Sequence, residues 1–156
     1  MSFRNIVAGI ALTSFAVIAS AQDRPPYGPD IKIDQAKRIA AGALAEAQKN
    51  KWRVAIAIVD NHGFLVYYEK MDDTQTGSVQ IAIDKAKDAA MLRRPTKALE
   101  DGITKGRVAL MSIASAPLEG GIPVMVDGRV IGGVGVSGVN SDQDAQVAQA
   151  GLNALK

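Results

Sequence analysis

The feature that most constrains this chain is a hairpin signal in its last third, Asp127-Gly128 between two apolar runs. A type I′ turn needs positive φ at both central residues, and Asp-Gly accepts that geometry, so the flanking runs are predicted to pair as antiparallel strands. The second run contains glycines at four positions, namely Gly132, Gly133, Gly135 and Gly138. Glycine weakens a strand and is typical of places where another backbone or a ligand comes close. One face of this hairpin is therefore predicted to be a contact surface.

The first 21 residues have the pattern of a secretory signal peptide. Arg4 supplies a positive start, residues 6–18 form a short apolar core, and Ala19-Ser20-Ala21 matches a small-residue cleavage site. The apolar core is shorter than the roughly 20 residues that a transmembrane helix needs. We therefore expect cleavage after Ala21 and an exported mature protein, periplasmic or secreted. Residues 22–30 are polar and proline-rich, and we expect a flexible lead-in there before one domain over residues 31–156.

Composition narrows the classes of function. The chain has no cysteine, which excludes disulfides, thiol catalysis and covalently attached c-type haem. Lysine and arginine number 18 against 16 acidic residues, and removal of Arg4 lowers the formal net charge from +2 to +1. Such a balance does not favour nucleic acid or an anionic membrane as a partner. No segment after the leader is apolar enough to span a bilayer.

The apolar pattern predicts a helix, two strands, a helix, a short helix, two strands and a last helix. Residues 33–47 repeat apolar side chains at helical spacing, whereas residues 52–60 are apolar on both faces and are typical of a covered central strand. Ser78, Thr96 and Ser141 are the predicted N-caps of the later helices. The predicted fold class is α+β, with a central antiparallel sheet flanked by helices in a single domain.

The single histidine, His62, falls in the tip of the first predicted hairpin. One interpretation of His62 is a solvated turn residue. The other is a functional group, either an axial haem ligand or a general base. One histidine cannot build a His-rich zinc or copper site. The glycine run over residues 133–138 is no dinucleotide loop, because that pattern must end a strand and open a helix.

Three charged residues are candidates for holding or transforming a ligand. Lys85 follows an apolar patch on the second predicted helix, and Arg94 lies at the end of that helix. Both are either solvated or anchors of an acidic ligand, since arginine forks suit carboxylates. Glu119 is the only acid in the apolar approach to the second hairpin, and it is a general acid/base, a metal contact or a loop-fixing acceptor.

Four blocks of the chain resemble one known family, the GlcG/HbpS family of haem-binding proteins, which is related to the C-terminal domain of PduO-type proteins. The blocks are residues 54–65, residues 81–96, residues 117–128 and residues 133–144. The resemblance extends over nearly the whole mature chain, from Ile31 to Leu155. It implies a profilin-like α+β fold and a homo-oligomer built from dimers, up to an octamer. It also implies that haem or iron is a ligand.

The resemblance extends to several residues. Lys85 and Thr96 match the family's helix and the Pro-Thr turn that follows it. Glu119, Gly120 and Gly121 match the loop before the third strand. His62 falls where the family's turn is variable, so the resemblance does not assign it as a ligand.

Two hypotheses follow for the crevice between the second helix, the Glu119 loop and the glycine-rich strand with Gly133 and Gly135. The first is an exported, oligomeric haem-binding protein. The alternative is a protein or enzyme for a small organic acid, with Lys85 and Arg94 as carboxylate anchors and Glu119 as acid/base. A partner-binding scaffold with an unused crevice is a third possibility.

Overall fold

The computed structural model describes residues 24–155. The predicted signal peptide, residues 1–21, lies outside the described residues, as do residues 22 and 23 of the lead-in and Lys156. The described elements follow the predicted order: α1 (Ile33–Lys49), β1 (Ala55–Asp60), β2 (Leu65–Lys70), α2 (Ser78–Leu92), α3 (Lys97–Thr104), β3 (Gly121–Val126), β4 (Arg129–Ser137) and α4 (Ser141–Asn153). The apolar run Val108–Ser112, between α3 and β3, is a short 3₁₀ helix.

The four strands form one antiparallel sheet in the order β2-β1-β4-β3. Both predicted hairpins are present, and β1 and β4 lie side by side at the centre. In the register of this central pair, Ala57 lies opposite Gly135 and Val59 lies opposite Gly133. The predicted α+β class with a central antiparallel sheet is confirmed.

Helices cover both faces of the sheet because β1 is apolar on both faces. Val54, Ile56 and Ile58 pack with α1 and α4 in the larger core. Residues of the other face pack against the alanines of α2 in a smaller core of small side chains. Burying each face removes apolar surface from water, which is the main favourable term in folding.

Helix α2 explains two glycines of β4, Gly133 and Gly135. A β-carbon at Gly135 would overlap the carbonyl oxygen of Ala82, and one at Gly133 would overlap that of Ala86. The helix backbone therefore lies directly on the strand, an approach that glycine permits and any side chain would block. The predicted contact surface exists, and its occupant within this chain is α2.

The helix caps differ from two of the three predictions. Ser78 is the first residue of α2 and follows Gly77. Asn140, one residue before the predicted Ser141, caps α4, and its backbone N–H donates to Gln143 Oε1 at 3.2 Å. Thr96 does precede α3, but its hydroxyl is used elsewhere.

The segment before α1, which its prolines predict to be a flexible lead-in, is hydrogen-bonded to the sheet in this structure. Gly28 N–H donates to the Val130 carbonyl at 2.8 Å, and Val130 N–H donates to the Pro26 carbonyl at 2.9 Å. The lead-in thus continues the sheet beside β4 beyond the point where β1 turns away at Asp60. Among residues 24–155, every helix is too short or too polar to cross a membrane.

Candidate functional site

Lys85 lies in the interior, where its charge has an internal partner. It is 1% exposed, and its Nζ donates to Asp144 Oδ2 at 2.7 Å and to the Val136 carbonyl at 3.0 Å. Asp144 also accepts from Val139 N–H at 3.1 Å. Burial raises the pKa of Asp144, and the Lys85 ammonium and the backbone donors oppose that rise. The ion pair ties α2 to β4 and α4.

Gly120 and Gly121 pack around this ion pair. Gly120 has φ +123°, and a β-carbon there would lie 2.9 Å from Lys85 Nζ and 2.9 Å from the Asp144 β-carbon. Gly121 lies against the Lys85 carbonyl, and its N–H donates to the buried Thr96 hydroxyl at 2.9 Å. Both glycines thus allow the loop before β3 to approach α2 closely.

Glu119 contacts residues of α3. Its carboxylate lies 3.6 Å from Lys97 Nζ, and its N–H donates to Glu100 Oε2 at 2.8 Å. Lys97 also pairs with Asp101 at 3.0 Å. Glu119 is therefore a member of a surface charge cluster.

The structure brings together only part of the predicted crevice. Lys85, Thr96, Gly120 and Gly121 are neighbours, but they are packed against one another. The faces of Gly133 and Gly135 are occupied by α2. A ligand could reach these residues only by displacing α2 or breaking the Lys85–Asp144 pair. Arg94 lines a separate cavity with other arginines.

His62 lies on a different surface, at the end of the β1–β2 hairpin. Its side chain is 70% exposed, and its Nε2 is 3.9 Å from Asp30 Oδ1. Asp60 holds the turn, since its Oδ1 accepts from the N–H groups of His62 and Phe64 at 2.9 Å each. Gly63 has φ +83°, and a β-carbon there would lie 2.9 Å from Met91 Sδ on α2. The turn that carries the exposed imidazole thus lies against the Met91 thioether.

Apolar side chains are unusually exposed around His62. Phe64 is 71% exposed, Met91 51% and Ile113 54%. We call the surface formed by His62, Phe64, Lys87, Met91 and Ile113 the hairpin-end surface. His62 and Met91 line two adjoining cavities of about 350 and 440 Å³. Contiguous exposed apolar side chains mark interaction or ligand sites.

Asp88 fixes one wall of the hairpin-end surface. Its carboxylate accepts from Ser115 N–H at 2.9 Å and from Ala116 N–H at 2.8 Å. Burial raises the pKa of Asp88, while these backbone bonds act in the opposite direction. The bonds hold the segment that carries Ile113 against α2.

Sequence reasoning missed several residues of these sites. Asp144 was visible only as an acid in the first turn of the last helix, and nothing in its spacing linked it to Lys85, which is 59 positions away. Phe64 and Met91 were not among the candidate residues, since apolar side chains in a strand or a helix are common in a core. The useful signal for Phe64 was its position directly after the Asn-His-Gly turn, which placed it at a hairpin tip.

The described residues hold no group of three or more histidine, aspartate or glutamate side chains that could bind a metal ion by itself. The fold and surface define a class: a single α+β domain with a closed, glycine-packed interior and an exposed apolar surface that carries a histidine. The model of one family, described as haem degrading protein HbpS-like, matches residues 31–153. The chain belongs to this HbpS-like family.

Known proteins similar to this chain include protein GlcG of Escherichia coli strain K12. The two are 46% identical over 103 residues, which are 65% of this chain and 77% of GlcG. The crystal structure of HbpS is similar with a TM-score of 0.77 and 26% identity, over 92% of this chain and 99% of that one. A crystal structure of a PduOC:heme complex has a TM-score of 0.72 and 27% identity, over 80% and 94% of the chains.

Proposed function

We propose that this chain is an exported, oligomeric haem-binding protein, and that haem lies on the hairpin-end surface. The observation that carries the proposal is the exposed histidine among exposed apolar side chains beside α2. The family and the haem complex of a structural neighbour support the choice of haem over other flat apolar ligands.

The residues of the hairpin-end surface fit the chemistry of haem. A porphyrin is a flat apolar ring, and Phe64, Met91 and Ile113 offer apolar contact to such a ring. His62 would offer an accessible imidazole nitrogen to the haem iron, the commonest role of histidine at haem. Lys87 lines the same cavity and supplies a positive charge for a propionate. Haem itself would supply the redox and ligand-binding chemistry of its iron.

Haemin titration of the purified protein tests the proposal, with the Soret band as readout. We expect saturable binding near one haem per chain, and a changed Soret band in His62→Ala because the iron loses its axial ligand. The matched control is Lys49→Ala, an exposed change at the end of α1. A flat titration would overturn haem binding, whereas an unchanged His62→Ala spectrum would overturn only the choice of ligand.

Export and assembly are the remaining parts of the proposal. The predicted signal peptide supports export, and mass measurement of the protein from the periplasm or medium should give a chain that begins at Gln22. The resemblance to the GlcG/HbpS family supports a dimer-based oligomer. Light scattering on the eluted protein should give an even multiple of the chain mass, up to eight.

The alternative, an acid-binding crevice with Lys85 and Arg94 as anchors and Glu119 as acid/base, has less support. Lys85 already has a carboxylate partner, and Glu119 faces Lys97. Arg94 alone of the three has a buried donor without a partner among the described residues.

A further inference from the structure

Four arginines from three segments line one cavity on the side of α2 where that helix ends. We call this cavity, of about 330 Å³, the arginine pocket. Its lining consists of Arg24, Pro25, Arg93, Arg94, Pro95, Ala98 and Arg107. None of these side chains is acidic, so the described lining carries positive charge alone.

Two of the arginines are held in place by contacts that leave their positive charge without a carboxylate partner among the described residues. Arg24 Nη1 donates to the Leu92 carbonyl at 2.6 Å, and Arg93 Nη1 donates to the Pro25 carbonyl at 3.2 Å. The Arg93 guanidinium also stacks 5.0 Å from the centre of the Tyr27 ring. Carbonyls and a ring orient these guanidiniums, but among residues 24–155 neither forms an ion pair within 4 Å with a carboxylate.

The C-terminal end of α2 explains part of this arrangement. The carbonyl end of a helix attracts cations, and the bond from Arg24 to Leu92 uses that attraction. Arg93 ends the helix in the left-handed conformation with φ 52°. Neither feature accounts for Arg107, which comes from the segment after α3.

Arg94 is the member that the fold leaves incomplete. Its Nε is buried and donates to no atom of the described residues. Burial lowers the pKa of the Arg94 guanidinium, and the charges of Arg24 and Arg107 lower it further. A buried donor without an acceptor costs free energy, as does the gathering of like charges. An anion in the pocket would offset the gathered positive charge.

We propose that the arginine pocket binds a small dianion through carboxylate or phosphate oxygens, with Arg94 as the central contact. A guanidinium carries coplanar N–H donors that match two oxygens of either group. Arg24 and Arg107 add charge that favours a dianion over a monoanion. This site does not include His62 and does not depend on haem.

Calorimetric titration of the haem-free protein with succinate and with inorganic phosphate tests the proposal. Acetate at matched ionic strength is the monoanion control. We expect saturable binding of at least one dianion, roughly tenfold tighter than acetate. The arm that binds more tightly identifies the source of the oxygens as an organic acid or a phosphate. Absence of saturation in both arms, or equal binding of acetate, would overturn the proposal.

Variants place the binding in this pocket. Arg94→Gln should lower the affinity for the dianion roughly tenfold or more, because a charge-assisted hydrogen bond is lost. Arg94→Lys should not restore the affinity, since lysine lacks the coplanar pair of donors. Arg38→Gln, an exposed change on α1 across the sheet, is the matched control and should bind as the parent does.

A second variant covers the case in which Arg94→Gln fails to fold. Arg107 is exposed, so Arg107→Gln keeps the packing intact. Arg107→Gln should lower the affinity for the dianion about threefold and make that affinity less dependent on salt. Unchanged affinity and unchanged salt dependence in Arg107→Gln, with dianion binding intact, would place the anion elsewhere and overturn the proposal.

Discussion

Lys85 Nζ and Asp144 Oδ2 lie 2.7 Å apart in the interior of the domain, where each side chain is at most 3% exposed. The pair joins the helix that covers one face of the sheet to the helix that covers the other. In the sequence, Lys85 was a candidate anchor for a ligand. In the fold its partner is a carboxylate of the same chain, so we assign the pair to stability.

Asp144→Asn tests that assignment. Removal of one partner from a buried ion pair leaves an uncompensated charge, and we expect the free energy of unfolding to fall by about 3 to 5 kcal/mol. Urea unfolding followed by circular dichroism measures the change. Asp101→Asn, which breaks the exposed pair with Lys97, is the control and should cost less than about 1 kcal/mol.

The double variant Lys85→Met with Asp144→Leu separates the charge effect from packing. Without either charge, most of the loss should be recovered, since apolar replacements of buried pairs are often neutral. An Asp144→Asn loss as small as that of the control would contradict a stabilising role for the buried pair.

Gly135→Ala should be disruptive because the new β-carbon would overlap the Ala82 carbonyl. We expect a loss of roughly 1 to 3 kcal/mol or more, as the helix must move off the strand. Gly77→Ala is the matched control, since no atom lies within 4 Å of its added β-carbon. The free energy of unfolding of the control should be unchanged or rise by up to about 1 kcal/mol, because alanine makes the unfolded chain less flexible. Equal stability of the two variants would contradict the close packing of α2 on β4.

The stability of the protein should depend on pH through Asp88. Burial raises the folded-state pKa of Asp88, so the native state binds more protons than the unfolded state as pH rises above the ordinary value of 3.8. Stability from this group is fully present below that value and is lost as pH rises through the folded pKa.

Asp88→Asn should therefore flatten the fall in unfolding free energy above about pH 4. Urea unfolding at a series of pH values measures the slope, which is compared between variants apart from any constant offset. A steeper fall in the variant would contradict the raised pKa.

Met91→Ala tests the hairpin-end surface by its apolar contact with haem. Because the variant loses the apolar contact of the Met91 side chain with haem, we expect its affinity for haemin to fall roughly fivefold to tenfold. Met125→Ala is the control, since Met125 is also a partly exposed methionine, at 41%, but on β3. Equal weakening in both variants would indicate nonspecific apolar binding of haemin.

Sequence reasoning predicted the order of elements well because each depends on local pattern. The two hairpins followed from turn residues between apolar runs, and the covered position of β1 followed from apolar residues on both of its faces. Errors came at the ends of elements: Asn140 caps α4 one residue before the predicted Ser141, and the predicted cap Ser78 is the first residue of α2, after Gly77. Such choices depend on which nearby donor the folded chain presents.

The candidate sites were less predictable than the fold. His62 was singled out by its chemistry, but the exposed Met91 beside it comes from α2, 29 positions later, and only packing sets the two together. Arg94 was correctly placed at the end of the helix, while Arg24 and Arg107 reach the same pocket from distant segments.

By itself the sequence determined the strands, the helices and the presence of a close contact at the glycine-rich strand, because propensity and periodicity act over a few residues. Only the tertiary structure decided what makes that contact. The carbonyls of α2 fill the space beside Gly133 and Gly135, and Asp144 neutralises Lys85. These partners lie 47 to 59 positions apart in the chain, and their meeting is set by the burial of both faces of the sheet, which no local pattern encodes.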